Sequence, residues 1–339
     1  MSNQVVFGLI GFGKIGRLHA TSVMQRIQSA TIKTVSDPFL NKEMISLAAD
    51  LCIPNTTKNV DEIFQDSEIS AVLICSSTDT HADLIEKAAK AGKDIFCEKP
   101  VDFDLSRVAN VLDIVRQCGV KFQIGFNRRF DHNFKRIRQD VENGLIGKPH
   151  ILKITSRDPA PPPMDYVRSS GGLFMDMMIH DFDMARYLMG SEATSIYAKG
   201  EVLINPEIGE AGDVDTAVVV ITFENGALGV IDNSRQAVYG YDQRAEVFGS
   251  SGCSMSGNDS ANTVETSTID GVIREKPYHF FLERYFDAYV NEMIAFIQYL
   301  NNGGQSPCGF TDAKMPVVMG LAAMKSFHEK RPVNISEIT

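Results

Sequence analysis

The feature that most restricts this chain is a strand–glycine loop–helix unit near its start. Val5 to Ile10 is a continuous apolar run, and Gly11-Phe12-Gly13-Lys14-Ile15-Gly16 follows it directly. A helical pattern then runs from about Lys14 to Gln28, and a second apolar strand, Thr31 to Ser36, ends on Asp37. A G-x-G-x-x-G loop alone is weak evidence, because glycine is common in turns. Between a strand and a helix, with an acid about 20 residues further on, it is the dinucleotide-binding fingerprint. Gly11 allows the tight turn, Gly13 lets backbone approach a pyrophosphate, and Gly16 permits close helix–strand packing. The helix start offers free N–H groups and a partial positive charge to phosphate. Phe12, Lys14 and Ile15 complete the candidate cofactor loop.

Asp37 bears on which dinucleotide is held. Its carboxylate accepts hydrogen bonds from a ribose diol and repels a 2′-phosphate, which points to NAD. Pro38 and Phe39 follow it rather than an arginine, although Lys33 and Lys42 leave room for mixed use. A turn or helix-capping role for Asp37 is the simpler alternative.

The rhythm of the first third is that of a doubly wound sheet. Strands at Ala71–Cys75, Asp94–Cys97 and Lys121–Phe126 alternate with helices at about Thr80–Ala91 and Leu105–Cys118, the pattern of βαβ units around a parallel sheet. Beyond residue 127 a helical stretch, Phe130–Asn143, gives way to strands at Ile151–Ser156, Ser195–Leu203, Thr216–Phe223, Leu228–Asn233 and Arg244–Phe248. Asn225-Gly226 is a two-residue type I′ hairpin signal, residues 250–270 read as a polar loop, and helices at Phe280–Leu300 and Thr311–His328 close the chain. At roughly 100–200 residues per domain, 339 residues make two. The expected division is 1–125, an NAD-binding α/β domain, and 126–339, an α+β domain with a large, mostly antiparallel open sheet for substrate binding and oligomerisation. The closing helices are free to return to the first domain. Ala217-Val218-Val219-Val220-Ile221 is apolar on both faces, so its second face is covered either within the domain or by another subunit.

Composition narrows the partners. With 44% hydrophobic and 22% charged residues the chain can build two cores, and its net charge of −10 disfavours nucleic acid and anionic membrane as partners. The six cysteines are scattered without a CxxC pair, which fits a reducing, cytoplasmic setting better than disulfides or structural zinc. The first residues lack a signal-peptide pattern, and no apolar run approaches a membrane span.

Three features carry candidate chemistry. Asp94-Ile95-Phe96-Cys97-Glu98-Lys99-Pro100 places Glu98 and Lys99 at the carboxyl end of a buried strand, where ligands of doubly wound sheets bind. Gly171-Gly172 leads an apolar helix on which Asp176 and His180 stand at i, i+4 and share a face, with Asp183 and Tyr187 continuing the stripe. That stripe either faces water or lines a polar cavity, and a metal held by two ligands alone is disfavoured. Gly125-Phe126-Asn127-Arg128-Arg129-Phe130 puts arginines at the domain junction, for hydroxyl recognition or for inter-domain salt bridges. Alcohol oxidation by NAD releases a hydroxyl proton as hydride leaves. Histidine suits that proton at neutral pH, a carboxylate can orient the ring, and a lysine can stabilise the developing alkoxide.

The glycine loop, Glu98-Lys99-Pro100 and Gly-Gly-x-x-x-Asp-x-x-x-His together resemble the Gfo/Idh/MocA oxidoreductase family over nearly the whole chain. Ser156-Arg157-Asp158-Pro159, Phe174–Tyr187 and Asp232–Asp242 most resemble its inositol 2-dehydrogenase members. The resemblance implies NAD-dependent oxidation of myo-inositol at C2, in inositol catabolism, with catalytic residues Lys99, Asp176 and His180. It implies polyol contacts from Arg129, Asp158 and Tyr239, and a nicotinamide end near Ser76, Thr78 and His81. It also implies tetramers built on the open sheet. Relatives act on scyllo-inositol, chiro-inositol and glucose, so another cyclic polyol is the main alternative. An NAD-using glycosidase and a non-catalytic NAD(H) sensor are the others.

Overall fold

The computed structural model describes residues 4–338. Six strands form one parallel sheet: β1 (Val5–Ile10), β2 (Ala30–Ser36), β3 (Asn55–Thr57), β4 (Ala71–Ile74), β5 (Asp94–Glu98) and β6 (Phe122–Gly125). Their order is β3-β2-β1-β4-β5-β6. The order reverses between β1 and β4, so the loops leaving those two strands flank the crevice where such sheets bind ligands. Some elements escaped the sequence reading, among them an edge strand and a capped helix. β3 is three polar residues on the sheet edge, and the short helix Lys42–Asp50 starts on Asn41, whose side chain accepts from Met44 N–H.

Contacts divide the chain into two units. The first runs up to Phe130 and includes Phe286–Met315; the second is Asp131–Tyr285 with the segment from Pro316. In the first unit, Phe7, Leu9, Phe12 and Phe96 share a core with Met293 and Phe296 of the helix Phe286–Asn302. Phe7 stacks on Phe296 at 6.1 Å. This shared apolar surface makes the late helix part of the dinucleotide unit.

The second unit is built on a seven-stranded sheet. β7 (Pro149–Arg157), β8 (Ala193–Glu201), β9 (Thr216–Phe223), β10 (Leu228–Ser234), β11 (Asp242–Gly249) and β12 (Cys253–Ser256) are joined by a short β15 (Val333–Asn334). Their order is β12-β11-β7-β10-β9-β8-β15, antiparallel except for β7 with β10. Residues 250–270 are not one polar loop. They contain β12 and, from Glu265, the first strand of an exposed hairpin, β13 (Glu265–Thr268) with β14 (Gly271–Arg274). Its polar Ser/Thr content hid the pairing, since neither strand buries a face.

Two further expectations are corrected. Gly226 is left-handed (φ +84°) while Asn225 is not, and Gly226 N–H donates to Phe223 O at 3.0 Å. The β9–β10 connection is therefore a wider turn ending in a left-handed glycine, not a type I′ pair, which needs positive φ at both residues. The closed-core alternative for β9 also fails. Ala217, Val219 and Ile221 are buried, whereas Val218 and Val220 are exposed, beside exposed Leu228 and Val230 of β10. Among the described residues no helix is long and apolar enough to cross a membrane.

Candidate active site

The cofactor half lies in the first unit, and its glycines are explained by distances. At Gly11 (φ +89°) a Cβ would meet backbone of Cys75 and Ser76 at 2.6–2.7 Å, so only glycine lets the β1 and β4 loops touch. At Gly16 a Cβ would lie 2.0 Å from the Gly11 carbonyl oxygen. At Gly13 a Cβ would meet nothing within 4 Å, leaving open space above the start of the helix Lys14–Arg26. No side chain caps that helix, so its first N–H groups remain available to an anion. These residues fit a dinucleotide pyrophosphate.

Asp37 does more than mark the end of β2. Its Oδ2 accepts the Phe12 N–H at 2.7 Å and its Oδ1 accepts the Phe39 N–H at 2.8 Å. The carboxylate thus clasps the glycine loop, so the turn role held as an alternative is present. Lys14 is exposed and Ile15 half-buried at the helix start.

Ser76 and Thr78 stand where β4 passes into the helix Thr78–Lys90, and Ser76 shares a 2.6 Å hydroxyl contact with Thr80. His81 is 1% exposed. Its Nδ1 lies 2.7 Å from the Pro100 carbonyl oxygen and its Nε2 3.0 Å from that of Ser76. Burial lowers the His81 pKa, against the pull of the two carbonyls, so a neutral ring has one N–H for two acceptors. Glu98 also turns inward: its Oε1 accepts from His19 Nε2 at 2.6 Å. Lys99 is half-buried, one residue past the end of β5. Arg129 donates to Asp312 at 2.8 Å, and Asp312 accepts the Gly309 N–H, so this guanidinium is oriented by a salt bridge inside the first unit.

Asp176 and His180 belong to the second unit, and here the structure departs from the continuous amphipathic helix. Asp176 ends one short helix, Gly172–Asp176, and His180 is the second residue of another, Ile179–Met189. At the break the N–H groups of Met177 and Met178 share the Leu173 carbonyl oxygen, at 3.2 and 2.9 Å, so the helical ladder shifts by one residue. Gly171 and Gly172 are both left-handed, at φ +85° and +81°. A Cβ at Gly172 would lie 2.8 Å from Asp213 Oδ1, and that same oxygen accepts the Leu173 N–H at 2.9 Å. The glycines admit a distant carboxylate that caps the first helix. The second helix is pinned separately, because fully buried Asp181 accepts from Asn233 Nδ2 at 2.9 Å. Asp183, expected on the polar stripe, is fully buried and lies 3.9 Å from Arg186.

Two residues that sequence reasoning passed over organise Asp176. Tyr166 Oη donates to its Oδ1 at 2.8 Å. Arg235, 1% exposed, stands 3.7 Å from its Oδ2 and 3.5 Å from Asp213. Burial, then the Asp176 charge, push the Tyr166 pKa up, with Asp158 adding to the rise; the phenol therefore stays a donor. Asp158 consequently belongs near this cluster. Tyr239 stands in another network, donating to Asp242 at 2.5 Å and accepting from Arg157 at 3.3 Å. In the sequence, Arg235 is marked only by lying in the Asp232–Asp242 stretch that carries the resemblance.

With the geometry in hand, the comparisons are specific. Residues 5–126 match the oxidoreductase family, NAD-binding Rossmann fold, and residues 134–254 match the GFO/IDH/MocA C-terminal domain. The chain belongs to the Gfo/Idh/MocA oxidoreductase family. An uncharacterized oxidoreductase of Bacillus subtilis is 52% identical over 99% of this chain and 98% of its own. A myo-inositol 2-dehydrogenase of Thermotoga maritima is 48% identical, covering 98% of both chains. A scyllo-inositol dehydrogenase from Lactobacillus casei, solved with bound NAD(H) and scyllo-inositol, superposes with TM-score 0.91 at 28% identity, covering 98% of this chain and 100% of that one. As in the rest of the family, this oxidoreductase carries an NAD-binding Rossmann domain, and NAD is its cofactor.

Proposed function

We propose that the chain is an NAD-dependent inositol 2-dehydrogenase that oxidises myo-inositol at C2 to the 2-keto product, in inositol catabolism. The observation that carries this reading is its near full-length likeness to the Thermotoga enzyme. Lys99, Asp176 and His180 supply the three residue types that the reaction needs. NAD, when bound, accepts the hydride from C2. His180 takes the hydroxyl proton as the carbon–oxygen double bond forms. Asp176, held by Tyr166 and Arg235, orients His180 and a substrate hydroxyl, and the Lys99 ammonium stabilises the developing alkoxide. Arg129, Asp158 and Tyr239 contact the remaining hydroxyls, while Ser76 and Thr78 serve the nicotinamide end, with buried His81 and mostly buried Glu98 behind them. The setting is cytoplasmic.

Exposed Val218, Val220, Leu228 and Val230 on the open sheet support a homotetramer packed through that face; sedimentation at micromolar protein tests it. The scyllo-inositol bound to the Lactobacillus neighbour favours that isomer as the second reading. The deciding experiment incubates purified protein with NAD and myo-, scyllo- or chiro-inositol or glucose, and follows NADH formation. Turnover that favours myo-inositol supports the reading, and higher kcat/KM on another polyol transfers it to that substrate. No NADH from any of the four rejects it. His180→Ala should lower kcat by roughly 10²–10⁴-fold.

A further inference from the structure

Two buried histidines touch the turn that carries Lys99, one on each side of it. His19 lies on the helix that follows the glycine loop, and its side chain is fully buried. Its ring meets Phe96 edge-on at 5.1 Å and Tyr289 at 5.5 Å, so its plane is set by packing. Its Nε2 donates to Glu98 Oε1 at 2.6 Å, and that carboxyl side chain is only 12% exposed. Glu292, also fully buried, lies in the same group, with ligand-type atoms within 4.8 Å of those of His19 and Glu98. The neighbouring thiols Cys75 and Cys97 are held neutral by burial and by the Glu98 charge. On the other side, His81 lies 2.7 Å from the Pro100 carbonyl oxygen through Nδ1 and 3.0 Å from that of Ser76 through Nε2, and the shorter contact takes the single proton of the neutral ring. Pro100 has no N–H, so its carbonyl is the only backbone polar group by which that residue can be held.

Lys99 stands between these two anchored residues. A lysine side chain is long and flexible, and an error of about 1 Å in a reacting group can cost about 100-fold in rate. Catalytic groups therefore need a fixed base and locked neighbours. We propose that His19 and His81 are positioning residues which hold the Glu98-Lys99-Pro100 turn, through the Glu98 carboxylate and the Pro100 carbonyl, and so set where the Lys99 ammonium stands. The inference rests on the reading of Lys99 as catalytic. It moves His81 from a cofactor contact to a support for the lysine, and gives His19 a part in the reaction.

The two hydrogen bonds come from different ring nitrogens, which makes the test sharp. A glutamine donor reaches about as far as Nε2, and an asparagine donor about as far as Nδ1. His19→Gln should therefore keep the bond to Glu98 where His19→Asn loses it, and His81→Asn should keep the bond to Pro100 where His81→Gln loses it. All four variants are polar and close in size, which limits folding failure, and melting temperature checks that each folds. In the variants that lose the bond, kcat with myo-inositol should fall at least 10-fold with NADH affinity within threefold of wild type. A deuterium isotope effect from C2 should rise as hydride transfer becomes slower. The two donor-preserving variants should recover most of that loss.

Lys99 can also be read without turnover, by the rate of its acetylation with acetic anhydride relative to exposed Lys87. That ratio should change at least threefold in His19→Asn and His81→Gln. Equal kcat in the two variants of either pair overturns the proposal, as does a loss confined to NADH affinity or an unchanged acetylation ratio. If wild type oxidises no polyol but the acetylation ratio still shifts, the positioning stands and the dehydrogenase reading fails.

Discussion

Replacing Asp37 by serine tests the cofactor half most directly, because its carboxylate has two separable jobs. In the chain itself it accepts N–H groups from Phe12 and Phe39 at 2.7 and 2.8 Å. Phe39 is 82% exposed, so water can replace that acceptor, whereas Phe12 is fully buried. Orphaning one buried N–H costs about 1–3 kcal/mol, which sets the expected stability loss. Toward NAD, the lost bonds from the ribose diol to a charged acceptor are worth about 1.5–3 kcal/mol, or roughly 10–150-fold in Kd. Toward NADP the change has the opposite sign. A carboxylate about 4 Å from one phosphate charge costs about 4 kcal/mol at an effective dielectric near 20, and serine removes that repulsion.

The assay is fluorescence titration of NADH and NADPH into wild type and Asp37→Ser, with melting curves alongside. NADH should bind roughly 10–150-fold more weakly, NADPH should bind no worse than before, and the protein should melt a few degrees lower. Equal weakening of both nucleotides would refute the reasoning. Asp37 would then act only by holding the Phe12 N–H, and the preference for NAD would have to come from another residue.

The other expectations are shorter. Gly13→Ala should leave the melting temperature unchanged, because its Cβ meets nothing in the protein, yet weaken NADH by filling the pyrophosphate space; Gly16→Ala, 2.0 Å from Gly11 O, should lower both. Tyr166→Phe removes the 2.8 Å bond to Asp176, worth about 1.5 kcal/mol, and should lower kcat/KM about 10-fold and the melting temperature by a few degrees. Arg235→Met removes the buried cation beside Asp176 and Asp213 and should destabilise by about 3–5 kcal/mol, seen by urea titration. Fully buried Asp215 accepts N–H groups from Leu203, Ile204 and Asn205. Burial alone would raise its pKa, but those bonds outweigh it and the net shift is downward. Asp215→Asn should therefore cost about 3 kcal/mol at neutral pH. The gap to wild type should stay constant above the unfolded aspartate value near 4, and close as pH falls below it through the lowered folded value.

What could be read from the sequence depended on how far away the cause lay. The glycine loop, its strand, its helix and Asp37 sit within one βαβ stretch, and Gly11 and Gly16 answer to backbone close by or on the adjacent strand. Their meaning is therefore written locally. Alternation was equally informative in β9: Val218 and Val220 carried the signal of a face needing cover, and in the single chain that face is exposed. The break between Asp176 and His180 is different. Met177 and Met178 are as apolar as the helices around them, and nothing in the run Leu173–Met189 marks a stop.

The two helices are anchored separately: Asp213 caps Leu173 at the start of the first from far along the chain, and Asn233 on β10 holds Asp181 in the second. Spacing alone therefore put Asp176 and His180 on one helix face, whereas each is carried by a separately anchored helix. That has a mechanistic consequence. Two short helices fixed by different carboxylates can each be adjusted alone, so substitutions at Asp213 should disturb Asp176 before His180, and substitutions at Asn233 the reverse. The Gly171-Gly172 pair belongs to the same device: two left-handed residues bring Asp213 within reach of Leu173. A pattern of glycines, an acid and a histidine is thus the local trace of contacts made from elsewhere in the second unit, and only the fold shows why those glycines are needed.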